Sequence, residues 1–210
     1  MRRLTFGMIL FAAAACAAGV AHAQAENDRV FLLVAQPGML DPVFEKTVVL
    51  AIRADDGGPI GVILNRPSTV SLHSLLPDRA DAAERDDPVF LGGPIEPDAL
   101  LFAFRAGSMP SRGLAVADDI YISGSGEVLT EILRHPEKAA QQRFFTGFSG
   151  WAAGQLEQEI ERGGWFVLRF DARAMFDMNP LTLYDELLQR VTAPSIETAR
   201  EIHLAHARLR

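Results

Sequence analysis

The chain has 210 residues and a formal net charge of −7 at pH 7, a length that suits one domain with a full core and is short for two. The acidic balance argues against nucleic-acid binding, because duplex DNA repels a negative surface unless basic residues are concentrated on one face. The sequence contains no dense run of lysine and arginine, so no nucleic-acid partner is expected.

The first 23 residues have the layout of a secretory signal peptide. Arg2 and Arg3 precede an apolar, alanine-rich stretch at residues 4–20, and the segment ends in an A-x-A cleavage signal at Ala23. The apolar stretch is too short and too poor in large side chains for a comfortable membrane span. We therefore predict cleavage after Ala23 and a periplasmic mature chain, residues 24–210, without a transmembrane segment. Its charge is −9, since the signal takes two arginines with it.

The single cysteine, Cys16, lies within this signal segment. The mature chain then has no disulfide, no thiol nucleophile and no cysteine-bound metal. One alternative makes Cys16 a lipid-attachment site, although Ala13 stands where a leucine is expected. Another alternative places the true translation start near Val30, which leaves the protein in the cytosol.

Apolar runs separated by turn signals organise the first half of the chain. Asp56-Gly57-Gly58 is a hairpin signal, and Asn65-Arg66-Pro67 is predicted to end a strand because proline does not continue a β-ladder. Ser71 is the predicted N-cap of a short helix that ends near residue 76. Strands are predicted at residues 30–35, 47–52, 59–64, 89–91, 99–104 and 120–122, and a further helix at residues 127–134.

The strongest local signal is the stretch at residues 144–170, which contains both tryptophans. Residues 144–148 and 165–170 are predicted strands. The segment between them is predicted to be a helix from Trp151, with Ala152, Leu156 and Ile160 on one face and Gly163-Gly164 at its end. Asn179-Pro180 then predicts the start of a helix at residues 181–191, and residues 195–209 are predicted to form a terminal helix.

These elements predict a single α+β domain with a mixed β-sheet core flanked by helices. About eight strands and four or five helices are expected, with hairpins and crossovers mixed. The sequence has no internal repeat and no long linker, so residues 24–210 are assigned to one domain.

Four segments resemble the AlgH/YqgE family of bacterial proteins. GFSGWAAGQLEQEI is similar to that family's GYAGWGAGQLE segment, and FLLVAQPGMLDPVFEKTVVL is similar to its opening. GPIGVILNRPSTVSLHSLL and VFLGGPIEPDALLF resemble its NRP and GGP segments. The matches cover most of residues 30–192 in the family's order. The resemblance implies the same α+β fold and a typically cytosolic location, and it implies no particular reaction.

Polar and glycine-rich positions in these segments are the candidate ligand-binding residues. Arg66 has a rigid donor fork suited to carboxylate or phosphate, or it is a structural arginine paired with an acid such as Asp41. Gly92 and Gly93 could cradle an anion through free N–H groups, or they mark a bend at a strand end. Trp151 and Gln155 lie at the start of the predicted helix, where core packing is the alternative for Trp151. The predicted pocket lining is Asn65, Arg66, Gly92, Gly93, Trp151 and Gln155.

The first functional hypothesis is a non-catalytic domain that binds a small molecule or a protein partner. The second is a hydrolase that uses Arg66, Ser149 and Glu157, which requires a base within reach of the Ser149 hydroxyl. The third is a transcriptional regulator, since the family is named for a proposed role in regulating alginate production. No cofactor and no metal site are predicted, because His203 and His206 have metal-binding spacing without further ligands.

Overall fold

The computed structural model describes residues 29–53, 58–117 and 119–193. The predicted signal segment, most of the predicted hairpin turn at residues 56–58, and the predicted terminal helix with His203 and His206 lie outside the described residues. Within the described part of the chain, no helix is long and apolar enough to cross a membrane.

Three antiparallel strands form one half of the sheet: β1 (Val30–Ala35), β2 (Val48–Ile52) and β3 (Ile60–Ile63). Every residue of β1 and β2 is buried, as unbroken apolar runs predict for strands covered on both faces. The strand β10 (Trp165–Arg169) adds to the outer edge of β1, also antiparallel.

The other half of the sheet is less regular, because several of its strand pairs shift register. Strand β6 (Ile95–Arg105) pairs with β8 (Ile120–Ser123), and β8 pairs with β7 (Leu114–Ala117). Strand β4 (Pro67–Ser71) pairs with β5 (Pro88–Leu91).

Strand β9 (Gln142–Gly150) joins the two halves and has three partners. One edge of β9 pairs with β6. The other edge pairs with β5 in parallel and, at the last residues of β9, with β3. The remaining pairs are antiparallel, so the sheet is mixed, as predicted, and it curls into a half-barrel. Because side chains alternate along a strand, Phe144 and Phe145 lie in different apolar clusters.

Helices cover the curled sheet. The short helix α1 (Leu72–Leu75) has Ser71 as its N-cap, as predicted, and α2 (Gly126–Leu133) packs its apolar face on the Phe144 cluster. Helix α3 (Gln155–Glu161) follows β9, and α4 (Ala172–Phe176) follows β10. Helix α5 (Leu183–Thr192) buries Leu183 and Leu187 on the cluster that contains β1. Short 3₁₀ turns lie at Ala80–Ala82 and Pro136–Gln141.

Several predicted boundaries were wrong. The predicted stop at Asn65-Arg66-Pro67 agrees with the end of β3 at Ile63, but an unpredicted strand, β4, begins at Pro67. Within the described residues β4 pairs with β5 alone, and an edge strand tolerates the missing N–H of proline. Strands β4 and β7 and helix α4 were not predicted, and β6 extends beyond residues 99–104. Helix α5 begins at Leu183 after Thr182, two residues later than predicted. The Asn179 side chain does accept a hydrogen bond from the backbone N–H of Leu181, as an N-cap does, in the turn that precedes the helix.

The helix between β9 and β10 also begins later than predicted. Trp151 is buried but precedes the helix, Ala152 is exposed, and α3 begins only at Gln155 after Gly154, whose φ is +77°. Leu156 and Ile160 are buried as predicted. Strands β9 and β10 are separated by β3, β2 and β1 in the sheet, so the chain passes across three strands between them.

Candidate functional site

A cleft of about 500 Å³ lies between the β1–β2 loop, residues 36–47, and helix α3 with the turn that follows it. The loop forms one wall, and its Leu40 side chain is 97% exposed. The lining residues are Pro37, Gly38, Met39, Leu40, Asp41, Phe44, Gly150, Trp151, Gln155, Glu159, Arg162, Gly163, Gly164 and Trp165.

Three aromatic rings pack together at the base of the cleft. Phe44 stacks on Trp151 with ring centroids 6.2 Å apart, and it meets Trp165 edge-on at 5.6 Å. The two indoles are themselves edge-to-face at 6.3 Å. Both tryptophans are buried, whereas Phe44 is only partly buried. Such offset and edge-to-face pairs add stability beyond the area that they bury.

The carboxylate of Glu159 fixes both tryptophans. Its Oε2 accepts hydrogen bonds from the indole N–H of Trp151 and of Trp165, each at 2.9 Å. Its Oε1 accepts from the Gln155 amide at 2.9 Å, and the Gln155 carbonyl accepts from the backbone N–H of Ala152. A helix of two turns therefore ties the end of β9 to the start of β10 through one acidic side chain.

Glu159 was not among the residues that sequence reasoning selected. Gln155 and Glu159 are four residues apart, a spacing that places two side chains together on a helix. Once Gln155 was chosen, that spacing could have predicted that Glu159 lies beside it. The sequence could not predict the contacts of Glu159 with Trp151 and Trp165, because they depend on how the chain turns before and after α3.

Of the six predicted lining residues, Trp151 and Gln155 line this cleft, and the other four do not. Asn65 accepts a hydrogen bond from the N–H of Val48 at 2.8 Å and donates to the carbonyl of Lys46 at 2.9 Å. Lys46 has a φ of +53°, which is unfavourable for a residue with a side chain. Asn65 therefore braces the end of the loop that forms the cleft wall.

Arg66 braces the same loop. Its guanidinium donates to the carbonyls of Pro42 at 3.4 Å and of Glu45 at 3.1 Å. The structural role considered for this arginine is thus the one observed, with backbone carbonyls in place of the Asp41 carboxylate. Asn65 and Arg66 contribute to the cleft by positioning its wall.

Gly92 and Gly93 lie where β5 crosses β9. A Cβ on Gly92 would lie 2.3 Å from the carbonyl oxygen of Gly147, and one on Gly93 would lie 2.3 Å from the carbonyl group of Phe148. The N–H of Gly92 donates to the carbonyl of Thr146 at 2.8 Å. This N–H is therefore used within the sheet, and close strand packing accounts for these glycines.

The residues of the hydrolase hypothesis are not assembled into a catalytic group. Ser149 is fully buried, and its hydroxyl donates to the carbonyl of Gly92 at 3.2 Å. Glu157 forms an ion pair with Arg53 at 3.5 Å, and Arg66 is engaged with the loop carbonyls. Within the part of the chain that the structure describes, no base is hydrogen-bonded to Ser149, so the hypothesis loses its activated nucleophile.

A largely desolvated charge lies elsewhere, on β9. Burial lowers the pKa of the Arg143 guanidinium to about 10, because an apolar environment disfavours the charged form. The guanidinium carbon lies 4.7 Å from the centroid of the Phe90 ring, and Nη1 is buried without a hydrogen-bond partner. Across the described residues there is no cluster of three histidine, cysteine or acidic side chains that could hold a metal ion.

The fold and the cleft define a class of protein: a single α+β domain with a curled sheet and a pocket based on two tryptophans and a glutamate. Residues 32–195 match the sequence profile of the AlgH-like family (DUF179), and the chain belongs to this family. The resemblance found in the sequence is therefore confirmed.

Relatives from several bacteria carry the name UPF0301 protein. One from Mycobacterium ulcerans is 38% identical over 143 residues, covering 65% of this chain and 69% of the relative. One from Cytophaga hutchinsonii is 31% identical over 160 residues, covering 75% of this chain and 86% of the relative.

Two solved structures share the fold. The solution structure of the AlgH protein from Pseudomonas aeruginosa has a TM-score of 0.66 at 26% identity, covering 82% of this chain and 93% of that one. The crystal structure of a Corynebacterium diphtheriae protein has a TM-score of 0.64 at 22% identity, covering 81% and 90%.

Proposed function

We propose that this protein is a non-catalytic binding protein whose cleft holds a small ligand. The observation that carries the proposal is the Glu159 carboxylate bound to both indoles at 2.9 Å. It fixes the base of the cleft before any ligand arrives, and a site that is already ordered loses little conformational entropy on binding.

The walls support the same proposal. A volume of about 500 Å³ falls in the usual range for small-molecule sites. Met39, Phe44 and the exposed Leu40 provide apolar surface, and Asp41 and Arg162 provide a few polar groups. This combination of apolar walls with few polar groups is typical of ligand pockets.

The tryptophans supply a direct assay. The chain has two tryptophans, and both line this cleft. Any change in intrinsic tryptophan emission therefore reports on this site. Native mass spectrometry of protein purified from its own host is expected to show a co-purifying small molecule. Adding that molecule to stripped protein should change the tryptophan emission with saturation.

The control is the variant Trp151→Phe, which removes one reporter and one hydrogen bond from the site. It should bind the recovered molecule more weakly than the wild type. If the recovered molecule binds without any change in tryptophan emission, the binding site lies elsewhere and the proposal fails.

We also propose that the mature protein is exported and begins at Gln24. Support comes from the charged start, the apolar stretch and the A-x-A signal of residues 1–23. N-terminal sequencing of the protein from its native host should give a terminus at Gln24. A terminus near Val30 with a retained start methionine would favour the cytosolic alternative.

A further inference from the structure

We infer that the cleft selects ligands carrying an alkylammonium group, that is, a protonated amine on an apolar stem. The inference rests on the proposed function and adds the chemical class of the ligand. Two features of the cleft lead to it: a carboxylate without a cationic partner, and aromatic and thioether side chains around that carboxylate.

The balance of charge in the cleft is negative. Asp41 and Glu159 are the acidic residues of the lining, and Arg162 is the basic one. Glu159 receives its three hydrogen bonds from neutral indole and amide groups. No ion pair joins Glu159 or Asp41 to a base among the residues that the structure describes. Neutral donors stabilise a carboxylate without cancelling its negative charge. A cation in the cleft can therefore pair with a carboxylate whose charge no other described group neutralises.

The geometry leaves room for an ammonium donor at Glu159. Oε2 accepts two indole N–H groups, whereas Oε1 accepts, among the described residues, the Gln155 amide alone. A carboxylate oxygen can accept two hydrogen bonds, so Oε1 has a free position. An ammonium group has three N–H donors, of which one satisfies this position and the others remain available to water or Asp41.

The surrounding side chains suit the rest of such a ligand. Phe44 is partly buried beside the two indoles, and aromatic rings attract cations placed near them. Met39 and Leu40 offer adaptable apolar contact for a stem. Arg162 opposes a cation and Asp41 favours one, but both are exposed, and water and salt weaken the interactions of exposed charges. The partly buried Glu159 is therefore the charge that decides.

The test uses three probes with the same six-carbon stem: hexylammonium, hexanol and hexanoate. Each is titrated into wild-type protein while tryptophan emission is followed. Hexylammonium should bind about tenfold more tightly than either of the others, which corresponds to about one close charge pair. Raising the salt concentration should weaken this preference.

The variant Glu159→Gln tests the role of the carboxylate. The glutamine carbonyl can still accept from the indoles, so the emission of the free protein should remain close to that of the wild type. Affinity for hexylammonium should fall about tenfold, and affinity for hexanol should stay the same. Glu161→Gln is the matched control: it makes the same change in net charge on the same helix, at an exposed position outside the lining.

A second arm separates the two sources of an alkylammonium group. A lysine blocked at both its amino and carboxyl ends presents the side-chain amine as a polypeptide does. Binding of blocked lysine at least as tight as that of hexylammonium indicates a lysine side chain of a partner. Binding of hexylammonium alone indicates a free amine.

Three outcomes overturn the inference that the ligand is an alkylammonium. They do not decide whether the cleft binds a small ligand, which the co-purification experiment tests. One is a preference for hexanoate that is lost in Arg162→Gln, which indicates an anionic ligand. Another is equal binding of all three probes without an effect of Glu159→Gln, which indicates an apolar site. The third is that none of the probes binds, while the co-purified molecule still changes the tryptophan emission.

Discussion

The substitution Glu159→Ala removes the acceptor on which both tryptophans depend. Trp165 is 1% exposed and Trp151 is 6% exposed, so both indole N–H groups lose their partner in poorly hydrated positions. A buried donor left without a partner costs about 1–3 kcal/mol. Because water can enter the open cleft, we expect a loss of about 3 kcal/mol for the pair rather than the upper limit.

The assay is urea unfolding at neutral pH, followed by far-ultraviolet circular dichroism. The midpoint should fall while the slope with denaturant stays constant, since the surface exposed on unfolding is unchanged. The emission of the folded variant should shift to longer wavelength as water reaches the indoles. Glu159→Gln retains an acceptor and should lose less than about 1 kcal/mol.

Glu161→Ala is the matched control, because it removes an exposed glutamate from the same helix. It should change the free energy of unfolding by less than about 0.5 kcal/mol. If Glu159→Ala proves as stable as this control, the carboxylate does not hold the two tryptophans and the description of the cleft is wrong.

Three further predictions concern the frame around the cleft. Gly92→Ala should cost more than about 3 kcal/mol or prevent soluble expression, because its Cβ would meet the Gly147 carbonyl at 2.3 Å. Asn65→Ala should cost about 1–3 kcal/mol in urea unfolding, since the N–H of the fully buried Val48 loses its acceptor. Arg143→Met should stabilise the protein by about 1 kcal/mol at neutral pH, because the charge that it removes is desolvated and its Nη1 has no hydrogen-bond partner among the described residues.

Each of these predictions has a control or a contrary result. Gly107→Ala is the control for Gly92, since no atom lies within 4 Å of its added Cβ, and it should leave stability unchanged. An Asn65→Ala variant as stable as the wild type would mean that the loop does not need this brace.

The pKa of Arg143 also predicts how the stability of the protein changes with pH. Burial holds the folded pKa at about 10, well below the ordinary value for arginine. Between these values the unfolded chain binds more protons than the folded one, so this group's contribution to stability rises with pH there. A methionine variant that is less stable than the wild type at neutral pH would show that the contact with Phe90 outweighs the desolvation of the charge.

Local sequence patterns were sufficient for most of the sheet. Residues 30–35 and 165–168 are apolar runs of strand length, and their burial or partial burial follows from that composition wherever they pair. The N-cap at Ser71 was also predictable, because a side-chain oxygen that binds an N–H three residues ahead is a local interaction. Strands β4 and β7 were missed because their pairing partners, and not their own periodicity, make them strands.

The sequence by itself determined that this chain is an α+β domain of the AlgH-like family, built around the segment that contains both tryptophans. Only the tertiary structure decided which hydrogen bonds that segment makes. Glu159 lies in α3, whereas Trp151 precedes that helix and Trp165 lies in β10, so no periodicity within one element brings the three side chains together. Asn65 likewise became a brace of the cleft wall because β2 and β3 pair and place it beside Lys46. Periodicity reports which face of an element is buried, whereas hydrogen bonds between distant segments depend on how those elements are folded together.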